Sequence, residues 1–290
     1  DLFAFKINYD QPVDATALYN GNISETYWKT ASDNILRSYH YKYDDLNRLL
    51  EANYSKPIST SIPSSFSTNS YYEKLGYDKN GNIYKLIRNG DLDADNFEIE
   101  IDNLVYTYDD DNKNQLKKVL DQSNHPQGFK DDSNGIEDQD KDYTYDDFGN
   151  LLTDTNKEIS SIIYNHLNLP VQITFVNGNY IKYLYNATGQ KIRKIVSQLD
   201  ITNTDYLGGF QYVNEKLKFF PHAEGYVDVT VGKRGVMGYN YVYQYKDHLA
   251  NSRLSYTNDI LNPGSIKILE ENHYYPFGLK HTSYNTEQYE

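Results

Sequence analysis

The chain has no cysteine among its 290 residues. That excludes structural disulfides, thiol catalysis and cysteine-ligated zinc together. Methionine and tryptophan occur once each, and arginine is rare beside lysine. No run approaches the roughly 18 apolar residues of a membrane-spanning helix, so no such insertion is expected. Clustered positive charge is missing too. The net charge is −13, and nucleic acid, whose binding requires Lys and Arg to neutralise phosphates, is excluded as a partner. The opening "DLFAFKINYDQP" has none of the three regions of a signal peptide. It reads as a chain entered mid-strand, and "HTSYNTEQYE" reads as equally unfinished. A piece of a longer protein is expected.

What is abundant is tyrosine, with 31 residues against 11 Phe. Tyrosine favours strands and suits a half-buried sheet face, with the ring packed and the hydroxyl wet. Many of these tyrosines fall in one recurring phrase. It appears as "YHYKYDDLNRLLEANY", "YEKLGYDKNGNIYKLIRNG", "LVYTYDDDNKNQLKKVLD", "DYTYDDFGNLLTD", "SIIYNHLNLPVQITF" and "IKYLYNATGQKIRKIV". A divergent seventh copy is "YVYQYKDHLANSRLSYTND". Aligned on Tyr43, Tyr77, Tyr108, Tyr145, Tyr164, Tyr185 and Tyr245, the copies lie 34, 31, 37, 19, 21 and 60 residues apart. A unit of about 20 residues with insertions fits such a repeat.

Each copy has the composition of a β-hairpin corner. The arm before it alternates with period two, as in Tyr39, Tyr41 and Tyr43, which marks a strand with one buried face. Asp or Asn follows and can accept a bond from the backbone two residues on. Three residues later stands Gly81, Gly149, Gly189, Asn47 or Asn168, the residue types that best tolerate positive φ. A type I turn closed by such a residue is a common hairpin connection. The copy at Tyr108 has one extra residue before Asn114 and predicts a longer loop. The fold class expected is all-β, an array of hairpins forming one continuous curved sheet. "NQLKKVLDQ" could form one helical turn. Residues 55–70 and 121–142, rich in Ser, Pro and acidic residues, read as loops.

Candidate chemistry is thin. The segment Asp91–Asp102 places Asp93, Asp95 and Asp102 at calcium-loop spacing, but Asn96 stands where glycine is expected and strands flank it. "KDDSNGIEDQDKD" has Gly135 in place but Lys130 at the first ligand position. Acidic surface turns account for both. The seven histidines are scattered, with no paired zinc spacing. Adjacent Asp247 and His248 would point to opposite faces of a strand. No nucleophile elbow or phosphate loop occurs, so no cofactor, no metal and no enzymatic activity are expected. Exposed tyrosines leave glycan binding as an alternative.

The repeated "YDxxGNL" unit resembles the YD repeat of bacterial Rhs proteins, also found in the shell of teneurins. "YKDHLANSRLSY" followed by "NHYYPFGL" resembles the Rhs repeat-associated core domain. Its D-H-L-G-x-x-R and Y-x-P-F-G patterns fall on Asp247, His248, Leu249 and Arg253, then Tyr274, Pro276, Phe277 and Gly278. Ala250 replaces the family's glycine, with Asn251 available for the left-handed position. The resemblance implies residues 1–240 as part of a hollow β-shell and 241–290 as the truncated start of the core domain. It implies a secreted or surface protein that encapsulates or delivers a C-terminal toxin carried on the same polypeptide. Export through an outer-membrane translocon, as in Bacteroidota, would suit the composition. The alternative function is a surface adhesin or carbohydrate-binding module of the same fold. An autoproteolytic enzyme would need a segment beyond Glu290.

Overall fold

A computed structural model of the chain describes residues 1–59, 62–67, 69–92, 97–131, 141–232, 235–259 and 261–282. Among them there is no helix, and every named strand pairing is antiparallel. The first nine strands form one sheet. They are β1 (Phe3–Asn8), β2 (Glu25–Thr30), β3 (Arg37–Tyr43), β4 (Leu49–Ser59), β5 (Ile62–Ser67), β6 (Glu73–Tyr77), β7 (Ile83–Leu92), β8 (Glu98–Tyr108) and β9 (Leu116–Asp121). They run in sequence order except that β5 pairs only with β4. The second sheet has thirteen strands in strict sequence order. It starts with β10 (Tyr143–Tyr145), β11 (Leu151–Asp154), β12 (Ile159–Tyr164), β13 (Pro170–Phe175), β14 (Tyr180–Tyr185) and β15 (Lys191–Ser197). It continues through β16 (Ile201–Leu207), β17 (Phe210–Val213), β18 (Lys216–His222) and β19 (Gly225–Gly232) to β20 (Gly235–Lys246), β21 (Ser252–Asn258) and β22 (Ile266–Glu271).

The array of hairpins is therefore present, but the single sheet expected from the sequence is divided in two. The break lies between β9 and β10 and is bridged by the backbone and side chain of Asp142. Asp142 N–H donates to the Lys117 carbonyl at 3.1 Å, and Val119 N–H donates to Asp142 Oδ2 at 2.8 Å. A carboxylate occupies the place of a ladder carbonyl here, because β10 is only three residues long. Two local readings also change. "NQLKKVLDQ" supplies β9 rather than a helical turn. Residues 55–70, read as a loop, include the β4–β5 hairpin, with Ser55 opposite Ser67 and Lys56 opposite Phe66. Ile58, Ile62 and Phe66 in that stretch have strand propensity that outweighs its turn-like composition.

The hairpin corners share one geometry. Gly81, Gly149 and Gly189 have φ of 93°, 82° and 80°, and Asn47 and Asn168 have φ of 62° and 56°. In the corner at Asp146, Oδ1 accepts from Phe148 N–H at 2.9 Å and Asn150 N–H at 2.8 Å, while Oδ2 accepts from Asn150 Nδ2 at 2.9 Å. Asp44, Asp78 and Asp247 make the same set of bonds to residues two and four positions on. Asn165 and Asn186 make its two backbone bonds. Bonds from Asn150 and the turn backbone hold the Asp146 carboxyl below the usual carboxylate range. The loop at Asp109 is longer, closing between Asp109 N–H and the Gln115 carbonyl.

Each corner also contains a register shift at its tyrosine. Tyr145 pairs with Leu151 but Thr144 with Thr153, which leaves Leu152 as the extra residue of a bulge. The same shift occurs at Tyr43, Tyr77, Tyr108, Tyr164 and Tyr185. A bulge bends its strand and increases the local twist, so a bulge in every repeat builds curvature into the sheet. The tyrosines then join one hairpin to the one before. Tyr108, Tyr145, Tyr164 and Tyr185 donate their hydroxyls to the carbonyls of Ile83, Leu116, Leu151 and Pro170 at 2.8–2.9 Å. Each acceptor is the first residue of the preceding hairpin's second arm. Tyr77 differs: its ring lies 4.8 Å beneath the Arg48 guanidinium.

The core sits on the nine-stranded sheet in two clusters. One contains Trp28, Tyr39, Ala52, Tyr54, Tyr71 and Ile101 together with Tyr275 from the far end of the chain. The other contains Leu75, Leu86, Leu104 and Val119.

Candidate functional site

The residues of the core motif meet where the two ends of the chain meet. Glu271, the last residue of β22, and residues 272–282 after it lie against β2, β3 and β4. The contacts begin in the seventh corner, which the structure places one residue later than an alignment on Tyr245. Lys246 pairs with Ser252 in the slot that tyrosine fills elsewhere, and Asp247 is the turn acceptor. Ala250, not Asn251, takes the left-handed conformation, with φ 63°. Arg253 falls in the bulge slot, where a strand re-aims its side chain. It is 5% exposed.

Arg253 Nε donates to the Asn272 carbonyl at 3.0 Å, and Nη1 lies 3.4 Å from Asp247 Oδ2. Its guanidinium stands 4.9 Å from the Trp28 ring and 5.7 Å from the Tyr274 ring. Planar guanidinium stacking of this kind compensates in part for lost hydration. Burial nevertheless lowers the Arg253 pKa, against the opposing influence of Asp247. His248 is not paired with Asp247 in any acid–base sense, since its ring stacks on Phe5 at 5.7 Å. Leu249 is exposed.

The second half of the motif is itself an eighth corner. Tyr274 bridges Lys280, and Tyr275 N–H donates to the Leu279 carbonyl at 2.8 Å. Gly278 N–H donates to the Tyr275 carbonyl, and Gly278 has φ 86°. Tyr274 donates its hydroxyl to the Ser252 carbonyl at 2.9 Å, so it repeats the bond made by the tyrosines of the earlier corners. Pro276 and Phe277 occupy the two middle positions, and Phe277 is exposed. The sequence signal for this corner is the spacing of Tyr274 to Gly278, which equals that of Tyr145 to Gly149.

Three residues essential to the seam escaped sequence reasoning: His273, Tyr275 and His281. All are buried. Tyr275 donates its hydroxyl to the Asn89 carbonyl at 2.5 Å, and its ring stands 5.1 Å from the Arg88 guanidinium. Arg88 in turn bonds Glu73 at 2.7 Å and Asp102 at 2.6 Å. Trp28 Nε1 donates to His273 Nδ1 at 2.6 Å. His273 Nε2 lies 3.2 Å from Glu271 Oε1, which also accepts from Thr30 Oγ1 at 2.7 Å. His281 stacks on Tyr71 with centroids 3.9 Å apart, and its Nε2 lies 2.9 Å from the Tyr39 hydroxyl. The two histidine rings are 6.2 Å apart. The fold thus brings two of the scattered histidines together, as packed rings.

Between this seam and the tyrosine stripe of β3 is a cavity of about 220 Å³, lined in part by Tyr41, Tyr43, Asp247, His248, Arg253 and Tyr274. Asp247 and Arg253 are engaged with each other there. Among the described residues, no group of three or more His, Asp or Glu is arranged to hold a metal. Of the calcium-like segments, Asp93, Asp95, Asn96 and Gly135 lie outside the described residues. Asp102 bonds Arg88 and the Phe129 N–H, and Asp91 faces Lys56 at 3.6 Å. What the arrangement does chemically is hold the last described segment onto the first strands through buried polar bonds between residues far apart in the chain.

No protein-family model matches the chain, and no curated protein matches it in sequence. Solved structures are similar to it in fold. One is the crystal structure of TcdB2–TccC3–TEV, at 14% identity and a TM-score of 0.55, over 97% of this chain. Another is the Photorhabdus luminescens Tc holotoxin pore, at 14% identity and a TM-score of 0.54, again over 97% of this chain. In both cases the chain spans about 15% of the length of the solved chain. The chain is thus an all-β protein with the fold of part of these toxin-complex chains.

Proposed function

We propose that the chain is a wall segment of an Rhs/YD-repeat protein. On this reading residues 1–240 belong to a hollow β-shell, and residues 241–290 begin the repeat-associated core domain. The shell is secreted or displayed on a bacterial surface, through machinery such as an outer-membrane translocon, and encloses or delivers a toxin at the C-terminal side of the same polypeptide. The segment itself is structural and performs no catalysis.

The observation that carries this reading is the tyrosine hydroxyl that the corners at Tyr108, Tyr145, Tyr164, Tyr185 and Tyr274 hand to the previous hairpin. It makes a ladder that extends indefinitely by addition of like units, which is what a wall requires and an active site does not. The bulge in every repeat supplies curvature. The fold shared with toxin-complex chains supports the same reading.

The test is limited proteolysis of the natural full-length protein. Sequence C-terminal to residue 290 is expected to resist protease in the native protein and to become cleavable once the wall is opened by denaturant. Cleavage of that region at the same rate with the wall intact and opened would overturn the proposal.

A further inference from the structure

The seam between the chain ends holds two buried imidazoles, and the geometry around His273 accepts no additional proton. Trp28 Nε1–H is a donor only. Its 2.6 Å bond therefore requires a bare lone pair on His273 Nδ1. Arg253 Nη2 approaches that same nitrogen at 3.5 Å. The remaining ring nitrogen, Nε2, carries the proton and faces Glu271. A second proton on His273 would set an N–H against the indole N–H and beside a guanidinium. His281 is enclosed by the rings of Tyr39, Tyr54, Tyr71 and Tyr275. Burial is the main influence that keeps His281 uncharged, and His273, Arg253, Arg37 and Lys56 also oppose a charge there.

We propose that His273 and His281 form an acid-opened latch, whose protonation expels residues 272–282 from β2–β4 while the hairpin ladder stays intact.

Two asymmetries support a local opening. The segment meets the first sheet through side-chain contacts with Trp28, Tyr39 and Tyr71, whereas the ladder, which Asn272 N–H joins at the Arg253 carbonyl, is held by backbone bonds that do not titrate. The histidines also sit where burial, above all, disfavours a charge. The cations around them, Arg253, Arg37 and Lys56, are paired with Asp247, Asp33 and Asp91, and Glu271 bonds His273 directly. Burial lowers the His273 pKa from 6.5 to about 4, despite Glu271, and lowers that of His281 as well. The unprotonated rings are the form the fold favours. Their stabilisation is complete above pH 6.5 and is lost as the pH falls from 6.5 towards 4. Burial pushes the Glu271 carboxyl up, but bonds from His273, Ser32 and Thr30 outweigh it and leave its pKa lowered from 4.5. Its protonation therefore belongs to lower pH than the opening of the latch.

The single tryptophan, Trp28, lies in the seam and reports on it directly. Acrylamide quenching of Trp28 in the 290-residue chain is expected to rise between pH 6.5 and 4 while the far-UV β-sheet signal holds. The double variant His273→Gln, His281→Gln keeps an acceptor for Trp28 and a donor for Glu271. It is expected to move the quenching midpoint down by about one pH unit or more. Quenching that changes only together with the β-sheet signal would overturn the latch, as would constant quenching down to pH 4. So would an unmoved midpoint in the variant. If that variant does not fold at neutral pH, the wild-type comparison of quenching against far-UV signal decides alone.

Discussion

The two sheets are built from the same corner and differ in what covers them. The nine-stranded sheet has Leu75, Leu86, Leu104 and Val119 in one buried cluster and an aromatic cluster closed by Tyr275 in the other. In the thirteen-stranded sheet the buried apolar residues of the strands are Ile162, Val227, Val229, Val242 and Leu254. Strand β13 is half-buried at every position, and Ile163, Leu184, Ile192, Tyr239 and Tyr241 are exposed. Away from the seam at β20 and β21, ladder bonds, corner clamps and tyrosine links therefore predominate in the second sheet. The first adds burial to the same connections. The difference teaches that the repeat supplies a connected surface, and that a core forms only where another part of the chain lies on that surface.

The sharpest way to break this comparison is to remove the same atoms from each sheet. Leu86→Ala removes a 5% exposed side chain and is expected to cost about 2–5 kcal/mol. Leu184→Ala truncates a side chain that is 43% exposed and should stay within about 0.5 kcal/mol. Urea midpoints for the two variants test this, and equal losses would mean that the second sheet is covered after all. A smaller effect probes the corner that both sheets share. Gly149→Val has open space for its side chain, so its cost is backbone strain at φ 82°, about 1–3 kcal/mol. Phe148→Ala, at the exposed neighbouring position, is expected to leave the urea midpoint unchanged. The smallest effect is Tyr164→Phe, which removes only the hydroxyl bonded to the Leu151 carbonyl. A loss of about 1 kcal/mol is expected, and no loss would show that the tyrosines act through their rings alone.

The corners were legible because everything in them is local. An Asp, a residue suited to positive φ three positions on and a partner one position further lie within five residues. The misplacement of the seventh corner has a physical origin as well. Tyr239, Tyr241, Tyr243 and Tyr245 continue the period-two alternation of β20, and an alignment on tyrosine followed that strand face rather than the turn. The spacing of Asp247 to Asn251, equal to that of Asp146 to Asn150, was the better guide because it reflects the clamp itself. By contrast, His273, Tyr275 and His281 carry no local signal. Trp28 and His273 are 245 residues apart, and no periodicity relates a strand near one end to a segment near the other.

By itself, then, the sequence determined the hairpins, their turn residues and the all-β class, because turn chemistry and strand alternation act over a few residues. Tertiary structure alone decided where the ladder divides, which half acquires a core, and which histidines are buried beside Arg253. Those outcomes depend on accumulated bulge and twist along the ladder, which bring distant strands together, and no short stretch of residues encodes that sum.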